Sequence, residues 1–212
     1  AKNHAIIMPD ADLDNVVNSL LGAAFGSSGE RCMALSVAVA VGDQVADELI
    51  ERMQVAMQGL KVGVYSETSN DFGPVITQQH QQKVIGYIDS AEQQGAKIVV
   101  DGRNLQPAGY EQGFFVGATL IDQVTPKMTS YQEEIFGPVL QIVRVSTMQQ
   151  AMQLINDHEY GNGTCIYTRD GEAARYFTDQ IMVGMVGVNV PLPVPVAYHS
   201  FGGWKRSLFG DL

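Results

Sequence analysis

The stretch Gly26-Ser27-Ser28-Gly29-Glu30-Arg31-Cys32-Met33-Ala34-Leu35-Ser36-Val37-Ala38-Val39-Ala40-Val41 sets one thiol between a glycine-framed loop and an apolar run. The run from Leu35 to Val41 reads as a short buried strand, since a brief apolar stretch rich in β-branched residues suits a strand covered on both faces. On the other side, residues 10–25 carry Leu13, Val16, Val17, Leu20, Leu21, Ala24 and Phe25 at helical spacing, with Asp10 or Asp12 as the cap and Gly26 as the stop. Cys32 thus falls at a helix-to-strand junction. The thiolate is the nucleophile of cysteine chemistry, and neighbouring cations favour it; Arg31 is such a cation. The residues alone leave a second reading open, in which Cys32 is an inert, buried side chain.

Outward from this junction, strand and helix patterns alternate. Residues 5–8 read as a strand stopped by Pro9, and Gly42-Asp43 opens a helix with an apolar stripe of Val45, Ala46, Leu49, Ile50, Met53, Met57 and Leu60. After a connection over residues 63–76, whose turn chemistry is Asn70-Asp71-Phe72-Gly73-Pro74, Thr77 suits the cap of a helix to about residue 94. Val84, Ile85, Ile88 and Ala91 face inward there, and His80 falls on the glutamine-rich, solvated side. Further strands are expected at residues 97–100, 114–121, 137–145, 164–168 and 185–190, with helices at 147–157 and 172–181. Pro191, Pro193 and Pro195 make the next segment stiff and extended. Strands alternating with helices of about three turns predict a layered α/β/α domain with a largely parallel sheet. No composition break divides the chain, so residues 1–212 are read as one domain.

Composition narrows the function classes. The 212 residues carry a formal charge of −10 and a pI near 4.7, which argues against nucleic acid, because a phosphate backbone needs clustered Lys and Arg. No apolar run approaches the roughly 18 residues of a membrane span and no basic leader precedes one, so a cytoplasmic location is the expectation. Two cysteines, Cys32 and Cys165, do not make a disulfide scaffold. The sequence lacks CxxC and HExxH, and His4, His80, His158 and His199 are scattered along it, so no structural metal is expected. Neither GxGxxG nor GxxxxGK[ST] occurs, and dinucleotide phosphates would need residues outside this chain.

Three motifs then define a likeness. Gly29-Glu30-Arg31-Cys32, Glu133-Glu134-Ile135-Phe136-Gly137-Pro138-Val139 and Ser200-Phe201-Gly202-Gly203-Trp204-Lys205, in that order, resemble the catalytic half of the aldehyde dehydrogenase superfamily. The opening residues Ala1-Lys2-Asn3-His4-Ala5-Ile6-Ile7-Met8-Pro9-Asp10-Ala11-Asp12, the form Arg31-Cys32-Met33-Ala34 and the stretch from Asn189-Val190-Pro191 to Asp211 are similar to one branch, the CoA-acylating methylmalonate-semialdehyde dehydrogenases. The resemblance runs over essentially the whole chain.

It implies that Cys32 attacks an aldehyde to give a thiohemiacetal and then a thioacyl enzyme, with NAD reduced and coenzyme A as acyl acceptor. The backbone N–H of Cys32 would supply half of an oxyanion hole. By the same resemblance Glu134 holds the nicotinamide ribose, Phe136 lies beside it, and Phe201 is an aromatic wall flanking the thiol. Arg31 suits a small semialdehyde acid as substrate, since a guanidinium can grip its carboxylate bidentately; its other role would be a surface ion pair with Glu30 or a neighbouring helix. Each of the other side chains has an ordinary alternative as well, an exposed carboxylate for Glu134 and packing for Phe136 and Phe201. His199 lies near the same site in the resemblance without an assigned task. The likeness also implies that the cofactor-binding half and the association strand lie outside this chain, that the piece alone is inactive, and that the whole protein is a homo-oligomer. Two rivals remain: a hydrolytic relative that releases a free acid, and a silent interaction domain.

Overall fold

In the computed structural model, which describes residues 1–209, the chain runs β1 (Asn3–Ile7), α1 (Leu13–Leu20), β2 (Leu35–Val41), α2 (Asp43–Met57), α3 (Gln78–Gln93), β3 (Lys97–Val100), β4 (Thr119–Asp122) and α4 (Thr129–Gln132). It continues through β5 (Val139–Val145), α5 (Met148–Asp157), β6 (Tyr160–Gly161), β7 (Gly163–Tyr167), α6 (Gly171–Gln180), β8 (Met185–Val188) and β9 (Trp204–Lys205). Asp211, the end of the branch-like stretch, lies outside the described residues.

Seven strands form one sheet in the order β3-β4-β5-β2-β1-β7-β8. Neighbours are parallel except β3 and β4. β2 lies near the middle, and its alternation decides which layer each side chain joins. Val37, Val39 and Val41 share a core with Val84 and Ile88 of α3, Ile155 of α5 and Phe177 of α6. Ala38 and Ala40 share the opposite core with Leu20 of α1 and with Leu49 and Met53 of α2. A slip of one residue would exchange valine for alanine on both faces, and each valine buried in this way contributes roughly 1.5–3 kcal/mol, so the register is tightly specified. The layered α/β/α expectation holds.

Several boundaries differ from the sequence expectation. The helix over residues 10–25 begins only at Leu13, where the Asp12 side chain accepts from the Asn15 N–H at 3.3 Å, and its last turn, Leu21–Phe25, widens into π-helix. The strand expected at 114–121 shrinks to β4. Its first residues bond to loops and to α3 instead: the Phe114 carbonyl accepts from Val75 N–H, the Phe115 carbonyl from Gln81 Nε2, and Gly117 N–H donates to the Gly102 carbonyl. β8 stops at Val188 because Asn189 turns left-handed at φ 55°, with its side chain bonded to the N–H and carbonyl of Thr168. The short helix α4 and the two-residue pairing of β6 with β9 are too brief for periodicity to reveal.

The two edges of the parallel strands differ. At their C-terminal ends polar groups close the sheet: Asp10 accepts from the Thr168 hydroxyl at 2.9 Å and the Arg169 N–H at 2.7 Å, and Arg144 pairs with Asp122 at 2.9 Å and Asp47 at 2.8 Å. Ligands of open parallel sheets usually bind beyond those ends. Here the residues of interest gather at the opposite edge.

Candidate active site

Cys32, Asn3, Glu134, Phe136, Asn162 and Gly184 all lie at or just before the first residues of strands β2, β1, β5, β7 and β8. Strand order therefore brings together segments far apart in sequence. The thiol loop is built by backbone geometry that few residues accept: Ser27, Ser28 and Gly29 are successively left-handed, at φ 56°, 57° and 69°. Ser28 is fastened by its hydroxyl, which donates to the Gly73 carbonyl at 2.7 Å. Gly29 must be glycine for a second reason, because a Cβ there would lie 2.1 Å from the carbonyl oxygen of Gly137. The thiol loop and the loop carrying Phe136 are thus in backbone contact.

Arg31 to Ala34 forms a turn, closed by Ala34 N–H donating to the Arg31 carbonyl at 3.1 Å, and Cys32 stands exposed at its corner. Two buried carboxamides fix that corner from below. Asn3 Nδ2 donates to the carbonyls of Cys32 and Ala34, both at 2.9 Å, while its Oδ1 accepts from Gly163 N–H at 3.0 Å, which sets the orientation of the amide. Asn162 Nδ2 donates to the Cys32 carbonyl at 3.0 Å and to the Met33 sulfur at 3.1 Å. The Cys32 carbonyl uses both lone pairs, so the backbone is held while the side chain faces out. Cys165, by contrast, is wholly enclosed in β7, and burial pushes its thiol up to about 12.

The Arg31 side chain lies along Gly26 and makes one long hydrogen bond, to the Gly22 carbonyl at 3.4 Å. Among the described residues no carboxylate pairs with it, so the expected alternative of a surface ion pair with Glu30 is not realised. Instead Glu30 is half-buried, and that burial raises its carboxyl above the ordinary range. Arg31, Glu134 and Phe136 line one narrow crevice with Gly29 and Gly137. Phe136 is itself left-handed at φ 59°, which turns its ring outward to 37% exposure.

The approach to Glu134 is held by Lys2, a residue the sequence reading passed over. Lys2 is 3% exposed, and its Nζ donates to the carbonyls of Ser130 at 2.6 Å and Glu133 at 2.7 Å. Burial pulls its pKa down to about 7, against the pull of Glu134 and Glu133 in the other direction. Tyr87 donates to the Glu133 carboxylate at 2.6 Å.

Behind Lys2 the histidines that look scattered in sequence come together. His4 Nδ1 donates to the Lys2 carbonyl at 2.8 Å, which leaves Nε2 to accept from the Tyr131 hydroxyl at 2.9 Å. His158 packs on both rings, with its centroid 5.4 Å from that of His4 and 5.3 Å from that of Tyr131. Burial and the neighbouring His158 pull the pKa of His4 down to about 3. His80, expected on a solvated face, is half-buried against the Phe136 loop; the helical pattern placed it on a polar face, and that face is covered by a loop from another part of the chain.

Phe201 is half-buried in the segment that follows the prolines and does not line the crevice of Arg31, Glu134 and Phe136. The next residues, Gly202 and Gly203, lie so close to Gly184 that a Cβ on Gly184 would come within 2.2 Å of the Gly202 carbonyl, which puts Phe201 at the same edge of the sheet. His199 is exposed and lies against Tyr198, the two rings tilted by 51° with centroids 4.7 Å apart. Among the described residues, no group of three or more His, Cys, Asp or Glu is arranged to hold a metal ion, and no helix is long and apolar enough to cross a membrane.

The chain that sets this exposed thiol on a loop packed against the one carrying Glu134 and Phe136 is a member of the aldehyde dehydrogenase family, whose model matches residues 1–212. The malonate-semialdehyde dehydrogenase of Pseudomonas aeruginosa is 69% identical over all 212 residues, which cover 43% of that protein. A crystal structure of methylmalonate-semialdehyde dehydrogenase from Oceanimonas doudoroffii superposes with a TM-score of 0.98 at 78% identity, over all of this chain and 43% of the other. A Sinorhizobium meliloti 1021 protein to which the same activity is ascribed, solved in complex with NAD, gives a TM-score of 0.98 at 57% identity with the same coverage. The chain thus spans less than half the length of these relatives.

Proposed function

We propose that this chain is the catalytic domain of a CoA-acylating malonate- or methylmalonate-semialdehyde dehydrogenase, with Cys32 as its nucleophile. The observation that carries the reading is the exposed Cys32 on a turn pinned by Asn3 and Asn162, next in sequence to Arg31, whose guanidinium pairs with no carboxylate among the described residues. The names of the relatives supply the substrate class.

In this reading the Cys32 sulfur bonds to the aldehyde carbon while the carbonyl π electrons move to oxygen, and Arg31 grips the substrate carboxylate so that this carbon meets the thiol. The Cys32 N–H faces the oxygen on which charge develops, a donor worth about 3 kcal/mol in such sites. NAD, when bound, supplies the two-electron acceptor that leaves a thioester on Cys32. Its fit here rests on the half-exposed Glu134 carboxylate and the outward Phe136 ring, a hydrogen-bond acceptor for a ribose and a flat apolar surface for a nicotinamide. The malonyl-type acyl group loses carbon dioxide, the enolate left behind takes up a proton, and the sulfur of coenzyme A would then displace Cys32 from the thioester to give acetyl-CoA or propionyl-CoA. Phe201, at the same edge of the sheet, is assigned to the wall of the aldehyde site. The apolar side chains exposed at the end of β8 and beyond it, Val188, Val190, Val194 and Val196, suit association of the whole enzyme with a second copy.

The test uses a polypeptide that joins this chain to its dinucleotide-binding part. With malonate semialdehyde and NAD it should form acetyl-CoA and carbon dioxide only when coenzyme A is present, and Cys32→Ala should abolish NADH formation. A rate and a free-acid product indifferent to coenzyme A would mark a hydrolytic enzyme instead. Undiminished NADH formation by Cys32→Ala would remove the nucleophile assignment.

A further inference from the structure

Phe136 holds a backbone conformation that a bulky residue adopts at a cost, φ 59°, and something must over-determine it. The carbonyl of such a residue turns out of the strand ladder and needs a donor of its own. That donor is His80, whose Nε2 lies 2.6 Å from the Phe136 oxygen. The next residue, Gly137, is met by Gly29 at its carbonyl, so the carbonyls of Phe136 and Gly137 are held from α3 and from the thiol loop together.

His80 is also the point where those two grips meet. The same Nε2 is 3.5 Å from the carboxylate of Glu30, the neighbour of Gly29, and its ring sits edge-on to the Phe136 ring with centroids 6.5 Å apart. α3 fixes the histidine in turn, for its backbone N–H donates to Thr77 Oγ1 at the cap of the helix, 3.1 Å away. One side chain at the start of α3 therefore touches both the loop that carries Cys32 and the loop that carries Glu134 and Phe136.

We infer that His80 is a positioning residue for the dinucleotide: by donating to the Phe136 carbonyl while lodged against Glu30, it keeps the Phe136 ring turned out to receive the nicotinamide, and ties that ring to the thiol loop. This rests on the proposed role of Glu134 and Phe136 as the nicotinamide-facing pair. His80 touches neither cofactor nor substrate in this scheme and acts only through Phe136.

The experiment compares His80→Leu, which keeps bulk and removes the donor, with His80→Gln, which restores an N–H at similar reach, in the polypeptide that includes the dinucleotide-binding part. Calorimetric titration with NAD and steady-state kinetics should give His80→Leu a Kd and KM for NAD about five- to tenfold higher, the range of one lost hydrogen bond. kcat should fall less than about threefold, and His80→Gln should return to within about twofold of the parent. Iodoacetamide labelling of Cys32 without NAD should be alike in all three, which shows that the thiol loop stays folded. An unchanged NAD affinity in His80→Leu, or a His80→Gln as weak as His80→Leu, overturns the inference. Glu134→Gln separates the two levels: if it weakens NAD and His80→Leu does not, only the role of His80 falls. If Glu134→Gln binds NAD like the parent, the reading of the loop fails and the inference with it.

Discussion

Asn162 Nδ2 donates to the carbonyl oxygen of Cys32 at 3.0 Å, so a side chain at the head of β7 fixes the thiol loop across 130 residues of sequence. Asn3, at the head of β1, donates to the same oxygen at 2.9 Å. The thiol is therefore aimed by two adjacent strands and not by its own loop alone. Removing one carboxamide leaves a partly buried carbonyl short of a partner and lets the turn drift. Asn162→Leu is expected to lower kcat by on the order of tenfold to a hundredfold, since small misplacement of a reacting atom is costly, with KM for NAD nearly unchanged. Steady-state kinetics that show kcat unaffected would mean that the loop holds its own geometry.

Gly29→Ala tests the backbone contact between the two loops. Its Cβ would meet the Gly137 oxygen at 2.1 Å, and its φ of 69° disfavours any side chain. Backbone faces it, which cannot rotate away. A loss of about 3 kcal/mol or more in urea-unfolding stability is expected, combining overpacking with the left-handed penalty. Gly22→Ala, where a Cβ would meet nothing within 4 Å, should change stability by less than about 1 kcal/mol.

Arg31→Gln addresses substrate class. If the guanidinium holds a carboxylate bidentately, its loss should raise KM for malonate semialdehyde by about ten- to a hundredfold. Propanal, which has no carboxylate, should be oxidised with KM changed less than about threefold. Equal losses for both aldehydes would assign Arg31 to the shape of the loop and not to recognition.

His4 sets a direction for pH dependence. Burial and the neighbouring His158 hold its pKa near 3, against 6.5 for a free imidazole. Between those values the unfolded chain takes up a proton that the folded chain refuses, so stability is complete above about pH 6.5 and falls as pH drops toward 3, by up to ~1.4 kcal/mol per pH unit for one such group. The pKa of His158 is also lowered, by its burial, and adds to the same slope. Urea midpoints from about pH 7.5 to 4.5 should fall more steeply for the parent than for His4→Gln. Parallel curves would show that His4 is not held neutral inside the fold.

How much of this was legible in the sequence follows from the range of the forces involved. β2 could be read to the residue, because the Val-Ala-Val-Ala-Val run is apolar on both faces and ends at Gly42. Thr77 could be read as a helix cap for a similarly local reason: its side chain accepts from the N–H three residues on. The strand at residues 114–121 was over-extended because its first residues give their backbone hydrogen bonds to loops near Gly102 and Val75, partners that periodicity does not specify. Cys32, Arg31, Glu134 and Phe136 stood out as motif residues. Asn3, Asn162, Lys2 and His80 did not, for their roles arise only when strand order places β1 between β2 and β7 and covers one polar face of α3 with the Phe136 loop. A polar pair at the head of an otherwise apolar strand, Asn3 and His4 in β1, was the one local hint available.

In the proposed mechanism the Cys32 sulfur carries the acyl group. Acid-quenched single turnover of the polypeptide that contains this chain and its dinucleotide-binding part, with malonate semialdehyde and NAD but no coenzyme A, followed by peptide mass spectrometry, tests it most directly. The expected result is a burst of NADH matched by an acyl adduct on the peptide containing Cys32, with Cys165 unmodified. A full NADH burst with Cys32 bare, or with the adduct on another residue, would contradict it.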